Sequence, residues 1–313
     1  SAIGMPRRYW QVVLADFDRD LELDIHAAID FDHDFHCHGF GNGQFTDVSV
    51  AVGVANAGSD MGLGVGDIDN DGDLDIFSTN IGYNVLYVND GAGGFNDFAL
   101  SRGCKSPVGP TRFGWGAVFG DLDHDGDLDI VHVAADNNSQ FFDPGVIYEN
   151  TGGGFFAQVS PDPGVDLNGY ALIAFDYDGD GDLDLLVNGH PTGSRSRLFE
   201  NVSPGLAGNH WLVVEPQGAV SNRESIGAVV RVTLGGQTLM RPIIAGRSFV
   251  SGCPTYAHFG LGTAAVIDEL RVRWPSGRSL VLRDVAVDQY LTLTEPPPKQ
   301  PRRLGAGAPL SSQ

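Results

Sequence analysis

The sequence predicts an all-β protein, made of repeated blades followed by a smaller β domain. One observation is a nine-residue acidic pattern that begins at residues 16, 67, 121 and 176. Its period of 51, 54 and 55 residues is close to that of four-stranded β-propeller blades. Another is that short apolar or β-branched runs surround each copy, while no long helical period occurs. Strand-length apolar runs also continue beyond the last copy, which predicts the second domain.

Each repeat reads as four short strands. In the second repeat, a strand of small residues (61–66) enters the acidic pattern and an apolar strand (74–79) leaves it. An aromatic strand begins at Val85, and a last strand follows Gly94. The fourth repeat ends early, after residues 197–202. The acidic pattern is therefore predicted to join two strands in every repeat.

The acidic pattern has the composition of a calcium-binding loop. Its second copy reads Asp67-Ile-Asp-Asn-Asp-Gly-Asp-Leu-Asp75. Five carboxylates in nine residues repel one another unless a hard cation binds them, and Ca²⁺ takes six to eight oxygen ligands. We expect side-chain oxygens from positions 1, 3, 5 and 9, the carbonyl of position 7, and a sharp turn at the glycine of position 6. The copies are named loop 1 (residues 16–24), loop 2 (67–75), loop 3 (121–129) and loop 4 (176–184).

The candidate metal-binding residues are the acidic side chains of these loops. They are Asp16, Asp18, Asp20, Glu22, Asp24, Asp67, Asp69, Asp71, Asp73, Asp75, Asp121, Asp123, Asp125, Asp127, Asp129, Asp176, Asp178, Asp180, Asp182 and Asp184. The pattern differs from an EF-hand, which needs a glutamate at position 12 between two helices. An acidic, solvated turn without metal is the plainer alternative. Loop 1 has Leu21 where the other loops have glycine, so we expect the first site to be the weakest.

The residues after the repeats predict a second all-β unit resembling a small β-sandwich. Apolar runs of strand length occur at residues 211–215, 228–234, 270–274 and 290–294. Gly235-Gly236 predicts a hairpin turn between the strands on either side of it.

The two parts resemble a known pair of domains. The repeats are similar to FG-GAP/VCBS repeats, the calcium-loop blades of integrin-α-like β-propellers. The later residues resemble the ASPIC/UnbV domain of the cartilage acidic protein family through four motifs: Ser221-Asn-Arg-Glu-Ser-Ile-Gly-Ala-Val-Val-Arg-Val, His258-Phe-Gly-Leu-Gly, Val272-Arg-Trp-Pro-Ser-Gly and Asp288-Gln-Tyr-Leu-Thr-Leu-Thr-Glu. The resemblance covers residues 10–295. Relatives usually carry about seven blades, so these four repeats form either an unusually short propeller or part of a longer protein.

Charge divides the chain in the same way. Residues 1–208, the predicted propeller repeats, hold 33 acidic and 8 basic side chains, whereas residues 209–313 hold 7 and 11. Within the second part, residues 209–295 form the predicted β domain and residues 296–313 a Pro/Gly/Ser-rich tail that we expect to be disordered. Half of the 40 acids lie in the four loops. The acidic balance disfavours nucleic acid and anionic membranes as partners.

Two features indicate where the protein acts. No run of 18 apolar residues occurs, so no transmembrane helix is expected. Loops with several carboxylates suit millimolar calcium better than cytosolic levels. We therefore expect a secreted, periplasmic or cell-surface protein. The three cysteines define neither a disulfide framework nor a zinc motif.

The leading functional hypothesis is a non-enzymatic, calcium-dependent recognition or adhesion module that binds a protein or glycan. The alternative is a propeller-scaffold enzyme with cyclase- or isomerase-like acid/base chemistry on a small molecule. Its candidate residues lie in the first repeat, in the segment Asp30-Phe-Asp-His-Asp-Phe-His-Cys-His38: His36 and His38, with Asp32 and Asp34. The same segment, with Cys37, could instead form a transition-metal site. The plainer alternative is a polar loop that connects blades.

Overall fold

The computed structural model describes residues 8–105, 113–135, 145–159, 165–189 and 195–298. Within these ranges the protein consists of 24 β-strands and one short 3-10 turn at Pro204–Leu206, and no α-helix occurs. The all-β prediction is confirmed. Residues 299–313 of the predicted tail lie outside the described residues.

The first two repeats form four-stranded antiparallel blades. In the first, the sheet order is β1-β2-β4-β5, with β1 (Arg8–Ala15), β2 (Asp24–Asp30), β4 (Phe35–Gly39) and β5 (Phe45–Asp47). A separate two-stranded ladder pairs β3 (Asp32–His33), which lies between β2 and β4 in the chain, with β6 (Ala57–Gly58), which lies between the first and second blades. The second blade contains β7 (Asp60–Gly66), β8 (Asp75–Asn80), β9 (Val85–Asn89) and β10 (Phe95–Asp97), paired in chain order.

The third and fourth repeats follow the same order. The third blade contains β11 (Gly114–Gly120), β12 (Asp129–Ala134), β13 (Val146–Asn150) and β14 (Phe156–Val159). The fourth contains three described strands, β15 (Ala171–Phe175), β16 (Asp184–Asn188) and β17 (Arg197–Phe199). In every blade the acidic loop joins the first strand to the second, as the sequence predicts. Strands β1 to β17 are called the blade region below.

The first strands of successive blades pack against one another, β1 on β7, β7 on β11 and β11 on β15. Small residues allow this close approach. A Cβ atom on Gly62 of β7 would lie 2.0 Å from the Trp115 carbonyl oxygen of β11, so only glycine fits there. Apolar side chains from adjacent blades share one core, in which Val13 and Ala28 meet Leu63 and Tyr87.

A repeated asparagine also ties each blade to the one before it. Asn89, at the end of β9, donates from Nδ2 to the Phe17 carbonyl of loop 1 (2.8 Å). Asn150 donates to the Ile68 carbonyl of loop 2 (2.8 Å). These buried bonds fix the second residue of one loop against the third strand of the next blade. Asn201 makes the same bond to the Leu122 carbonyl of loop 3 (2.8 Å).

The residues after the blades form two sheets around one apolar core. The three-stranded sheet has the order β21-β18-β24, with β18 (Trp211–Gln217), β21 (Ala257–Gly260) and β24 (Gln289–Thr294). The four-stranded sheet has the order β20-β19-β22-β23, with β19 (Val229–Leu234), β20 (Gln237–Pro242), β22 (Val266–Arg273) and β23 (Ser279–Ala286). Trp274 is fully buried between them. The hairpin predicted at Gly235-Gly236 is confirmed, because Leu234 pairs with Gln237. Strands β18 to β24 are called the C-terminal domain.

One connection of the C-terminal domain reaches back across the blades. Between β20 and β21, the Gly246 carbonyl accepts a hydrogen bond from Gln11 Nε2 of β1 (3.0 Å). The Phe249 ring lies 5.1 Å from that of Trp115 in β11. Ser251 Oγ donates to the Leu172 carbonyl of β15 (3.1 Å). This connection therefore contacts the first strands of the first, third and fourth blades, which places the C-terminal domain directly over the blade region.

Candidate metal centres

Carboxylates converge in each of the four loops. At positions 1, 3 and 5, one oxygen from each side chain lies within 4.8 Å of the others in loops 1, 2 and 3. In loop 4 the corresponding group combines positions 1, 3 and 9. These groups are Asp16, Asp18 and Asp20; Asp67, Asp69 and Asp71; Asp121, Asp123 and Asp125; and Asp176, Asp178 and Asp184. The fold thus brings together the side chains that the sequence predicts at positions 1 and 3 of every loop.

The loop backbone makes the same two left-handed turns in each repeat. In loop 2, position 4 is Asn70 with φ 58° and position 6 is Gly72 with φ 94°. In loop 1, the same positions are Arg19 with φ 65° and Leu21 with φ 82°. A side chain with Cβ resists this conformation by about 1–2 kcal/mol. Leu21 therefore adopts the turn that glycine makes elsewhere and carries its strain.

Backbone N–H groups orient the carboxylates of each loop. In loop 2, Asp67 accepts hydrogen bonds from the amides of Asp71 and Gly72 (both 3.1 Å). Asp71 in turn accepts one from the amide of Asp73 (3.1 Å). Each bond fixes one oxygen of a carboxylate and leaves further lone pairs for a ligand. The loop is held by its own backbone in a form that presents oxygens to one point.

Position 9 has a second function that the sequence did not reveal. In loop 2, Asp75 accepts from the Ile68 amide (3.1 Å) through one oxygen and from the Asn89 amide (2.9 Å) through the other. Asp24, Asp129 and Asp184 make the equivalent pairs of bonds. The last aspartate of each loop therefore closes the loop and joins it to the third strand of its own blade.

Position 7 reaches toward the preceding blade. Asp127 of loop 3 accepts a hydrogen bond from Asn70 Nδ2 of loop 2 (2.6 Å). Asp182 of loop 4 lies 3.7 Å from His124 Nε2 of loop 3. Burial raises the pKa of Asp73 in loop 2 to about 7, and the Arg19 guanidinium of loop 1, which lies beside this carboxyl, offsets part of that rise. Position 4 of one loop thus meets position 7 of the next, a link that sequence reasoning missed.

The chemistry of these side chains fits a hard cation. Burial raises the pKa of Asp67 and Asp121 to about 7 and that of Asp129 to about 8, because the charged form loses water without gaining a full set of partners. Within the described residues, the buried Oδ1 atoms of Asp69 and Asp121 accept no hydrogen bond. Convergent carboxylate oxygens without protein partners suit Ca²⁺, which takes oxygen ligands and whose charge would stabilise the ionised form of these side chains.

Loop 3 lies directly under the C-terminal domain. Asp121 is fully buried and accepts a hydrogen bond from the Gly260 amide of β21 (2.9 Å). Arg241 of β20 is also buried and donates to the Gly126 carbonyl (3.2 Å), with its Nη2 4.0 Å from Asp121. In loop 4, the Gly181 carbonyl is 2.8 Å from His258 Nε2. Two of the four loops therefore form part of the interface between the blade region and the C-terminal domain.

The histidine-rich segment of the first repeat forms strands, although a polar loop was the plainer expectation. Residues 35–39 are the third strand of the first blade, with neighbours on both sides. His36 is 3% exposed and packs against Phe17 with ring centroids 5.2 Å apart. Its aromatic surroundings explain the burial, because Phe17 and Phe95 come from the adjacent loop and blade.

The four alternative catalytic residues do not meet at one site. His36 lies beside His26, with their Nδ1 atoms 3.3 Å apart. Asp34 lies 3.8 Å from Nε2 of the same His26, a residue that sequence reasoning missed. His38 instead faces loop 1, with Nδ1 3.1 Å from Asp18.

Asp32 is in the separate β3–β6 ladder, where His33 is its partner. Cys37 is buried on the first blade among apolar side chains. The residues of this segment that could form a transition-metal site, Cys37 and the neighbouring histidines and aspartates, therefore do not converge on one point.

Comparison with known families gives one match in each part of the chain. Residues 67–132 match the model of the FG-GAP-like repeat, and residues 218–300 match the model named ASPIC and UnbV. Cartilage acidic protein 1 of Mus musculus is 27% identical over 279 residues, covering 71% of this chain and 42% of the relative. The Homo sapiens protein of that name is 26% identical and 41% covered. The chain thus spans about two fifths of the length of these curated relatives.

Two solved structures share only a general likeness. One is an Agrocybe aegerita lectin described as recognising non-reducing terminal N-acetylglucosamine, with a TM-score of 0.35, 21% identity, and coverage of 63% of this chain and 55% of the lectin. The other is the exotype rhamnogalacturonan lyase YesX, with a TM-score of 0.36, 17% identity, and coverage of 92% and 48%. In the described part of the chain, no helix is long and apolar enough to cross a membrane. The sequence matches therefore give this chain an FG-GAP-like repeat followed by an ASPIC and UnbV domain. This agrees with the resemblance to the cartilage acidic protein family that the sequence motifs indicate.

Proposed function

We propose that this chain is a calcium-binding recognition module of an extracytoplasmic protein, and that it is not an enzyme. The observation that supports this proposal is the convergence of carboxylate oxygens in all four loops, with buried oxygens that accept no hydrogen bond among the described residues in loops 1, 2 and 3. Calcium bound there neutralises charge that the fold concentrates in the blade region. A formal net charge of −21 would change to about −13 with one divalent cation bound in each of the four loops.

The positions of the loop residues indicate which groups would bind the ion and which strands it would join. Positions 1, 3 and 5 supply side-chain oxygens, position 9 supplies a further oxygen while closing the loop, and position 7 supplies its carbonyl. Because each loop joins the first and second strands of a blade, the ion holds these strands together. Loops 3 and 4 also contact the C-terminal domain, so the ions there support the interface as well.

A protein or glycan outside the cytoplasm is the partner class we propose. The named relatives are cartilage acidic proteins, and the FG-GAP-like repeat matched in this chain suits adhesion or recognition. Millimolar calcium outside cells would keep such multi-carboxylate loops filled. The enzyme alternative lacks support from the geometry, because His36 is buried beside Phe17 and apart from His38 and Asp32.

Calcium titration of the chelated protein tests the proposal. We expect three tight sites and one weaker site by calorimetry, with Mg²⁺ a poor substitute because it demands octahedral geometry. Asp71→Asn should remove one tight site. Asp284→Asn is the matched control, since this exposed aspartate of β23 lies outside the loops, and asparagine tolerates its φ of 51°. Equal calcium binding by Asp71→Asn and the control would refute the proposal.

Recognition is tested separately on immobilised extracellular glycans and matrix proteins. We expect binding that needs calcium and is lost in Asp71→Asn but retained in Asp284→Asn. Binding that persists unchanged in excess chelator would contradict a calcium-dependent module.

A further inference from the structure

Loop 1 differs from the other loops in the side chain that faces it. His38 of β4 places Nδ1 3.1 Å from Asp18 Oδ2 and 3.4 Å from Asp24 Oδ1, and Nε2 3.9 Å from Asp20 Oδ2. One ligand atom each from Asp18, Asp24 and His38 lies within 4.8 Å of the others. This group therefore adds a nitrogen donor to a loop that otherwise offers oxygen.

The register of the blades shows that this nitrogen is peculiar to the first repeat. The amide of Gly39 donates to the last aspartate of loop 1, as the amides of Asn89, Asn150 and Asn201 do in loops 2, 3 and 4. The residue before each of these is therefore equivalent. That residue is His38 in the first blade and Val88, Glu149 and Glu200 in the others. At this position two loops thus have a further carboxylate, one has an apolar side chain, and loop 1 has imidazole.

The distances between the His38 nitrogen and the carboxylate oxygens suit a small ion with tetrahedral coordination. Ligands that lie about 2.0–2.2 Å from Zn²⁺ in a tetrahedron are roughly 3.3–3.6 Å from one another. His38 Nδ1 is 3.1 and 3.4 Å from the two carboxylate oxygens. Asp24 is oriented by the amides of Phe17 (3.0 Å) and Gly39 (2.9 Å), which resembles the outer hydrogen bonds that fix metal ligands. The His38 ring is held edge-on by Phe40 at 4.7 Å.

The same loop is poorly suited to calcium. Its turn is made by Leu21 at φ 82°, and calcium needs six to eight oxygens arranged around it. A four-coordinate ion needs fewer, and imidazole with carboxylate suits zinc better than calcium. Asp16 Oδ1 is buried and has no hydrogen-bond partner among the described residues. Asp16 also converges with Asp18, so it is available as the fourth donor.

We propose that loop 1 is a mixed nitrogen–oxygen site for a borderline divalent metal, zinc, held by His38, Asp18 and Asp24, with Asp16 as the fourth ligand. Loops 2, 3 and 4 bind calcium. This inference rests on the proposed function in one respect, that the loops are metal sites. The inference divides the four loops into one zinc site and three calcium sites.

Zinc titration in the presence of millimolar calcium tests the assignment. Wild-type protein should bind one Zn²⁺ per chain, and Co²⁺, used as a spectroscopic substitute, should give the intense visible bands of tetrahedral coordination. His38→Val, which installs the side chain of the second blade, should weaken zinc binding at least 10-fold. His38→Glu, which installs that of the third and fourth blades, should also weaken zinc binding and should strengthen calcium binding at loop 1. His210→Gln is the matched control, because it removes a partly exposed histidine that pairs with Asp288 at 2.7 Å outside the loops.

The possible failures are distinguishable. Equal zinc affinity in wild type and both His38 variants would overturn the zinc site, while unchanged calcium binding by loops 2 to 4 would leave the proposed function intact. Loss of all calcium binding would refute the proposed function instead. X-ray absorption of the zinc-loaded wild type avoids any folding defect of the variants: one imidazole nitrogen at about 2.0 Å supports the site, and an oxygen-only shell overturns it.

Discussion

The blade region and the C-terminal domain bury carboxylates in opposite ways. In the blade region, Asp67 and Asp121 are buried with pKa values raised to about 7. In the C-terminal domain, burial also raises the pKa of Glu295, but hydrogen bonds from Ser276 and from backbone amides outweigh it and lower the value to about 2. The loops leave oxygens without partners, whereas the C-terminal domain supplies its own donors. On the proposed function, the blade region therefore requires cations from solution, whereas the Glu295 site of the C-terminal domain does not.

Glu295 is a buried carboxylate whose hydrogen-bond donors all come from the protein itself. One oxygen accepts from the consecutive amides of Ala219, Val220 and Ser221 at 2.9, 2.7 and 2.7 Å. The other accepts from the Ser221 hydroxyl (3.1 Å) and the Ser276 hydroxyl. This carboxylate joins the last strand to the segment after β18 and to the turn after Trp274. Its charge is stabilised by geometry that the chain itself provides.

The largest expected effect is the response to a chelator. Each filled site adds about 2.7 kcal/mol at a calcium concentration 100-fold above its dissociation constant. Removal of calcium should therefore lower the melting temperature of the blade region strongly, while the C-terminal domain retains a cooperative transition closer to its original temperature. Calorimetry with and without EGTA measures both. An unchanged melting curve in excess chelator would refute structural calcium.

Asp121→Ala should cost more stability than loss of a candidate ligand elsewhere. Asp121 accepts from the Gly260 amide and faces the buried Arg241, and removing one partner of a buried pair costs about 3–5 kcal/mol. Asp178→Ala is the matched control, because it removes a position-3 carboxylate from loop 4 that is exposed. Chemical unfolding should show a larger loss of stability for Asp121→Ala than for Asp178→Ala, both in calcium and in chelator. Equal losses for the two variants would mean that loop 3 does not support the domain interface.

The metal-free protein should lose stability as pH rises. Burial raises the pKa of Asp67 to about 7 and of Asp129 to about 8, from an ordinary 3.8. The folded state therefore holds protons that the unfolded state releases, so this stabilisation is fully present below pH 4 and is lost as pH rises through about 7 to 8. Melting curves from pH 5 to 8 in EGTA measure the slope, and saturating calcium should remove most of it. Stability that rises with pH in chelator would contradict the raised values.

The Glu295 site should respond to pH in the opposite direction. Because its folded pKa is lowered from 4.5 to about 2, its stabilisation is present above pH 4.5 and is lost as pH falls through about 2. Glu295→Gln should destabilise the C-terminal domain by roughly 1–3 kcal/mol at neutral pH, since buried donors lose a charged acceptor. Glu224→Gln, at an exposed glutamate, is the control. The same loss with and without calcium is expected, and a calcium-dependent loss would contradict the division between the two regions.

Leu21→Gly should give the smallest change. Glycine removes the strain of φ 82°, worth about 1–2 kcal/mol, and Leu21 is 57% exposed, so little packing is lost. The melting temperature of the blade region should rise slightly. Gly72→Leu is the reciprocal variant, because a Cβ there meets open space and only the conformation at φ 94° opposes it. If both changes have no effect, strain does not distinguish the loops.

Local patterns in the sequence predicted most of the fold. The period of the acidic loops, their place between two strands and the hairpin at Gly235-Gly236 all depend on residues close in the chain. The contacts that sequence reasoning missed join distant residues, such as Gly260 with Asp121 or Asn150 with Ile68. Nothing in a single repeat reveals which neighbour will face it, so these pairs depend on how blades and domains pack.

The histidines illustrate the same limit. If the module only recognises a partner and both histidines lie at the surface, His36→Ala and His38→Ala should leave calcium-dependent stability nearly intact. The surface position is wrong for His36, which is 3% exposed between Phe17 and Phe95, so we expect its replacement to create a cavity. Alternation along β4 predicts that His36 and His38 share a face, but not that one contacts aromatic rings and the other loop 1.

The links from position 4 to position 7 make the loops a one-dimensional series. Arg19 connects loop 1 to Asp73, Asn70 connects loop 2 to Asp127, and His124 connects loop 3 to Asp182. In such a series each unit interacts with its nearest neighbours alone, as in solenoid repeats. Order imposed on one loop therefore spreads along the row and fades with distance. Loop 4 has Gly179 at position 4, which has no side chain to continue the series, so the row has a direction and an end.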